Sequence, residues 1–200
     1  ETQIQLDRRM IRNQINKLEK KLVQIDKEKK TQRKQREQTY KVALVGYTNA
    51  GKSTLMNCLT GADTLVENKL FATLDATVRK IKKNFPYPVL LSDTVGLIKK
   101  LPHDLVASFK SPLDEVRHAN LLIHVVDLSH SEYAEQMRTA DDLLREMGVD
   151  DLDILTVFNK VDALPDIETL DRALNAVPSS VGISCKTGAG LETLREKIVF

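Results

Sequence analysis

Two hundred residues, 42% hydrophobic and 29% charged, can close a sizeable core without disulfide or metal staples. Two cysteines exclude a disulfide framework, and no stretch nears the roughly 20 apolar residues that cross a bilayer; with a charged, signal-free N-terminus, a soluble cytoplasmic protein is expected. The net charge of +2 hides an asymmetry: residues 1–40 hold 12 Lys and Arg against 6 Asp and Glu, a net of +6, which leaves −4 for residues 41–200.

The first element is a basic helix. Ile11, Ile15, Leu18, Leu22 and Ile25 recur with 4-3-4-3 spacing, the seam of a coiled-coil helix, and from Lys27 to Gln38 the apolar positions stop. There the helix either continues as a solvated basic arm or frays. The chain therefore divides into a helical linker segment, residues 1–39, and an α/β domain, residues 40–200. A single seam must be covered, so the helix is expected to pair with a second copy, swap, or lie loose, while the α/β domain alone is expected to be monomeric. Glu1 in place of Met, and an end at Phe200 just after a helical segment can begin, lead to the expectation of a piece of a longer protein.

The apolar run Val42 to Val45 enters Gly46, Tyr47, Thr48, Asn49, Ala50, Gly51, Lys52, Ser53 and Thr54. A strand running through a glycine-framed loop into a helix is the phosphate cradle of P-loop nucleotidases. The glycines let backbone N–H groups wrap a phosphate, Lys52 supplies a cation for the β- and γ-phosphates, and Ser53 offers a hydroxyl to Mg²⁺. Val78 to Phe85 reads as a strand with Thr77 at its head. Val89 to Leu91 leads into Asp93, Thr94, Val95 and Gly96; Asp93 would act on the Mg²⁺ side, and the Gly96 amide would approach a γ-phosphate with no side chain in the way. Hydrolysis removes that contact, which makes the loop a candidate switch.

Leu121 to Val126 reads as a buried strand. The helix that follows is expected over Ser129 to Met147, capped by Ser129 or Ser131 and stopped at Gly148. Ile154 to Phe158 leads into Asn159, Lys160, Val161 and Asp162. An acceptor-only carboxylate such as Asp162 engages the adjacent N1–H and N2–H₂ donors of guanine, a pair that adenine lacks. Asn159 would tie the loops together, Lys160 would lay its methylenes on the ring face, and Ser184, Cys185 and Lys186 would complete the pocket. Motifs at the carboxyl ends of parallel strands converge on one crevice, so GTP is the expected ligand and GDP the product. The fold expected is a doubly wound, mostly parallel Ras-like G domain with one antiparallel strand near residues 78–85. Cys58 and Cys185 read as free thiols, and the four histidines as structural or surface groups.

Gly46 to Ser53, the string Leu70-Phe-Ala-Thr-Leu-Asp75, Asp93 to Gly96 with Leu101-Pro-His-Asp-Leu105, His124-Val-Val-Asp127, and Glu1-Thr-Gln3 followed by Asp7-Arg-Arg9 together resemble the HflX-type GTPases. The resemblance covers nearly the whole chain. It implies a GTPase that binds the large ribosomal subunit and acts in ribosome splitting or rescue, with the basic helix against ribosomal RNA. It also implies a switch loop of Phe71, Ala72, Thr73, Leu74 and Asp75, in which Thr73 joins Ser53 and Asp93 in the Mg²⁺ shell; Thr77 is the other candidate for that threonine. Lys52, Thr73 and Gly96 are the expected catalytic groups. Leu97 stands where Ras-type enzymes place a water-orienting glutamine, so intrinsic hydrolysis is expected to be slow and raised by a partner. The motifs alone equally suit a GTP-dependent switch that acts on a protein partner with negligible hydrolysis, or an RNA-binding module in which nucleotide is structural.

Overall fold

The structure, a computed structural model, describes residues 3–34, 39–61, 77–81, 87–94, 116–146, 148–149 and 151–199. The expected roles of Phe71, Ala72, Thr73, Leu74, Asp75, Val95, Gly96 and Leu97 lie outside the described residues. The chain forms two compact units, Glu1–Thr39 and Tyr40–Phe200.

The first unit is one helix, α1 (Gln3–Lys34). It runs on through the polar stretch after Lys27 rather than ending with its apolar seam, as a segment rich in Lys, Glu and Gln allows. Ile11, Ile15, Leu18 and Leu22 are all exposed on it.

The second unit alternates strands and helices. In chain order come β1 (Tyr40–Val45), α2 (Lys52–Thr60), β2 (Thr77–Ile81), β3 (Val89–Asp93), β4 (Leu121–Asp127), α3 (Tyr133–Glu146), β5 (Asp153–Asn159), a 3₁₀ turn (Val161–Ala163), α4 (Ile167–Ala176), β6 (Ser180–Gly182) and α5 (Leu191–Val199). They build a six-stranded sheet of order β2-β3-β1-β4-β5-β6, parallel except for β2, which runs antiparallel to β3. The chain steps outward from β1 to β3 on one side and then returns to place β4 on the other, so the loop after β1 sits where the winding reverses.

Helices cover both faces, which is why the central strands read as apolar runs and not as alternation: every residue of β4 is buried. Val42, Leu44, Ile123, Val125 and Val157 point to one face, against Leu55, Met56 and Leu59 of α2 and Leu194 and Ile198 of α5. Ala43, Val45 and Leu122 point to the other, against Leu144 of α3 and Val149, while Val126 and Phe158 meet Ala173 of α4. Each fully buried Leu, Ile, Val or Phe side chain here contributes about 1.5–3 kcal/mol.

Helix α3 starts at Tyr133, the first residue of its apolar stripe, and not at Ser129, and neither serine caps it as expected. The Ser129 hydroxyl and amide are both committed to the Asp127 carboxylate, at 2.6 and 3.1 Å. His130 takes over at the helix entrance, where its Nδ1 accepts from the Glu132 amide at 3.1 Å.

A buried histidine sits among these layers. His124 of β4 is 2% exposed, 4.0 Å from the Asp141 carboxylate of α3, and burial together with the Lys52 cation lowers its pKa to about 4. Folding therefore holds the ring neutral, whereas the unfolded chain takes up a proton below its ordinary value near 6.5. The unfolded state binds more protons between those values, so stability falls as pH drops through that window. Unfolding free energies from urea titrations at pH 7 and pH 5 should differ by about 2 kcal/mol from this group alone, and His124→Gln should remove most of that slope.

Candidate nucleotide-binding site

At the carboxyl end of β1 the chain turns through Gly46 with φ 146°, and a Cβ there would lie 2.2 Å from the Val125 carbonyl oxygen of neighbouring β4. Only glycine lets the loop leave the strand so close to its neighbour. Asn49 adopts a left-handed conformation, φ 62°, and Gly51 another, φ 97°, as the cap of α2. No side chain caps α2, so its first-turn N–H groups face the loop's hollow, a ready seat for an anion.

Lys52 crosses that hollow. Its ammonium donates to the carbonyls of Gly46 at 3.0 Å and Tyr47 at 2.9 Å and is only 6% exposed. Burial lowers its pKa to about 8, with Asp93 pulling in the opposite direction. On the next residue the Ser53 hydroxyl donates to Asp93 Oδ2 at 2.5 Å, joining the start of α2 to the tip of β3. Thr94 donates back to the Leu44 carbonyl at 2.6 Å and fixes the first residue after β3 beside β1. Two hard oxygen donors 40 residues apart in sequence thus meet beside a lysine, a donor set that suits Mg²⁺. The described residues hold no group of three or more His, Cys, Asp or Glu that could cage a metal unaided. Mg²⁺ is commonly held this way, by one or two protein oxygens together with substrate phosphates.

The far side of the cleft comes from β5 and β6. Asn159, 2% exposed, donates from Nδ2 to the Ala50 carbonyl at 3.0 Å and accepts the Cys185 amide on Oδ1 at 3.3 Å. One side chain thereby ties the phosphate loop to the loop after β6. Lys160 follows in a left-handed conformation, φ 63°, a strained geometry for a residue with a side chain. Its ammonium donates to Asp127 Oδ2 at 2.6 Å. Asp127 ends β4 directly beside Asn159 in register, and its other oxygen is held by Ser129. The sequence reading assigned Asp127 no part here; its position at the tip of a buried strand was the available signal.

Asp162 lies in the 3₁₀ turn. Its Oδ1 accepts from the Ser184 hydroxyl at 2.6 Å, and Lys186 stands 4.0 Å from its Oδ2. The Thr187 amide donates in turn to the Ser184 oxygen at 3.1 Å, so the carboxylate is aimed by a fixed loop. Asn49, Gly51 and Thr54 on one side and Asn159, Lys160, Asp162, Cys185 and Lys186 on the other line a single cleft of about 440 Å³. The Asp162 carboxylate and the phosphate loop therefore share one cavity.

Comparison with known proteins agrees with this geometry. Residues 41–160 match the family described as 50S ribosome-binding GTPase. The chain is similar to the GTPase HflX of Magnetococcus marinus, 47% identical over 99% of this chain and 46% of that protein. It is likewise similar to the GTPase HflX of Escherichia coli K12, 42% identical over 97% of this chain and 46% of that protein. The chain thus spans about half the length of the curated relatives it matches. Among solved structures it is similar to a GTP-binding protein of Sulfolobus solfataricus in complex with GDP, at a TM-score of 0.66 and 29% identity, covering 95% of this chain and 57% of the other.

Proposed function

We propose, on the premise that this chain belongs to the 50S ribosome-binding GTPase family and is of the HflX type, that it binds GTP with Mg²⁺, hydrolyses it slowly, and acts on the large ribosomal subunit in ribosome splitting and rescue. The observation that carries the reading is the shared cleft, in which a phosphate loop faces a carboxylate shaped for guanine.

In this reading the N–H groups of residues 46–52 and the start of α2 bind the β- and γ-phosphates. Lys52 swings from its two carbonyl partners to the phosphate oxygens, a short move for an ammonium already inside the loop. Ser53 and Asp93, with Thr73, would hold Mg²⁺, which would neutralise charge developing on the phosphoryl oxygens. Asp162 takes the two guanine donors, and the Lys160 stem, anchored at its far end by Asp127, forms one wall for the ring. The Gly96 amide reads the γ-phosphate. Leu97 offers no hydrogen bond to water, so the isolated chain turns over slowly and a partner supplies or positions the missing polar group. A ribosomal partner places the protein in the cytoplasm, and the charge excess of α1 suits contact with ribosomal RNA. Among the described residues no helix is long and apolar enough to cross a membrane.

Steady-state GTP turnover measured with and without purified large subunits tests the ribosomal half. A rise of at least about tenfold is expected for a partner that completes the water-positioning groups, and an unchanged rate at saturating subunits contradicts it. The Lys52 environment adds a pH signature. Bound phosphate favours the ammonium, so its pKa rises on binding; affinity is full below about pH 8 and falls as pH climbs above that value. The loss should be about fivefold in GDP titrations between pH 8 and 9, and should be absent in Lys52→Met.

A further inference from the structure

Two cysteines 127 residues apart in sequence meet behind the guanine side of the cleft. Cys58 lies in the last turns of α2, Cys185 in the loop after β6, and both are partly buried. The Cys58 thiol donates to the Cys185 carbonyl at 3.5 Å. Both backbones are held from other directions. Arg195 of α5 donates to the Cys58 carbonyl at 3.2 Å, and the Cys185 amide is bound to Asn159 Oδ1. Cys185 also lines the cleft, which gives a small oxidant a path to the pair.

We propose that Cys58 and Cys185 form an oxidation site that hydroperoxides convert to a disulfide, which loosens the hold on guanine nucleotide; this regulatory role rests on the nucleotide reading above. Burial, with Cys58 and Asp162 adding to it, pushes the Cys185 thiol up to about 12, so Cys185 stays protonated and the first attack on peroxide is assigned to Cys58. With hydrogen peroxide, Cys58 sulfur bonds to one oxygen, the O–O bond breaks and hydroxide leaves, which makes a sulfenic acid. Cys185 sulfur then attacks Cys58 sulfur, the S–O bond breaks, and the departing hydroxide takes the Cys185 proton as water. Two thiols are oxidised and one peroxide is reduced to two waters.

The bond requires sulfurs at about 2 Å, so closing it draws the Cys185 segment toward α2. The first casualty is the Asn159–Cys185 bond, already long at 3.3 Å, and with it the tie that sets the loop bearing Ser184 and Lys186 around Asp162. Losing one such tie corresponds to about a tenfold weaker GDP affinity.

The test treats the 200-residue chain with hydrogen peroxide, maps cysteines by non-reducing peptide mass analysis, and titrates GDP before oxidation, after it, and after re-reduction by a dithiol. A peptide joining Cys58 to Cys185 is expected, with GDP affinity weakened about tenfold and restored on reduction. Cys58→Ser should bind GDP as the reduced wild type does and keep that affinity under peroxide. Separate sulfinic acids, or cross-links only between chains, overturn the site, and a mapped disulfide that leaves GDP affinity unchanged overturns the regulatory role. Failure of the reduced chain to bind GDP would instead strike the nucleotide reading, while the peptide map still decides the thiol pair.

Discussion

Asp162→Asn should weaken GTP binding by at least about a hundredfold while leaving the fold intact. The carboxylate is acceptor-only and is aimed by the Ser184 hydroxyl at 2.6 Å. Guanine presents two adjacent donors to it, and each hydrogen bond to a charged group contributes about 1.5–3 kcal/mol, so losing the pair costs about 3–6 kcal/mol. An amide in that place turns an N–H toward the guanine N–H, which adds a mismatch to the loss. Xanthine carries a carbonyl at C2 where guanine carries its amino group, and the same amide suits it. The variant should therefore prefer XTP over GTP, reversing the wild-type order. Calorimetric titration of both proteins with GTP, XTP and ATP measures this, and an Asp162→Asn protein that binds GTP as the wild type does would remove the base assignment. Ser184 tolerates the change because its hydroxyl can donate equally to an amide oxygen, so the unfolding free energy should change by less than about 1 kcal/mol.

Gly46→Ala should damage the α/β unit severely. Its Cβ would stand 2.2 Å from the Val125 backbone oxygen at a φ of 146°. The obstacle is a carbonyl in the middle of a fully buried strand, so no flexible side chain can step aside. Forcing β1 and β4 apart at that level costs about 1–3 kcal/mol of overpacking, and the disallowed backbone angle adds about 1–3 more. Urea unfolding should show a loss of about 3 kcal/mol or more, accompanied by lost GDP binding. Gly51→Ala makes an instructive contrast. Its Cβ would meet Asn159 Nδ2 at 2.3 Å, a side chain that can move, so the fold should suffer less while the bond from Asn159 to Ala50 breaks. A Gly46→Ala protein as stable as wild type would contradict the packing described at this crossing.

The strands of the α/β unit were legible because both faces of the sheet are buried, which writes each central strand as an unbroken apolar run. β4, buried along its whole length, is the extreme case. The polar tetrads could be placed at strand ends for the same reason: the run stops where the chain emerges from between the helices. The start of α3 was not legible. Ser129 has the spacing of a cap, but Asp127 at the tip of the preceding strand competes for its hydroxyl, a tertiary contact that no local pattern encodes.

The same carboxylate explains what was missed at the site. Sequence spacing places Lys160 beside a ring but says nothing of the group that fixes its ammonium, because Asp127 and Lys160 are 33 residues apart and meet only when β4 pairs with β5. His124 gave no sign of its shifted titration for a similar reason, since that depends on Lys52 and on burial under α3. The contact between Cys58 and Cys185 was equally silent, their separation of 127 residues matching no metal-ligand spacing.

Competition against a fluorescent GDP analogue on the wild-type chain tests the central claim most directly. If the loop at residues 46–53 and Asp162 enclose one guanine nucleotide, unlabelled GTP should displace the probe at near-stoichiometric concentration, and ATP should fail to do so even at about a hundredfold excess. Equal displacement by ATP and GTP, or no probe binding by the folded and reduced protein, would contradict it.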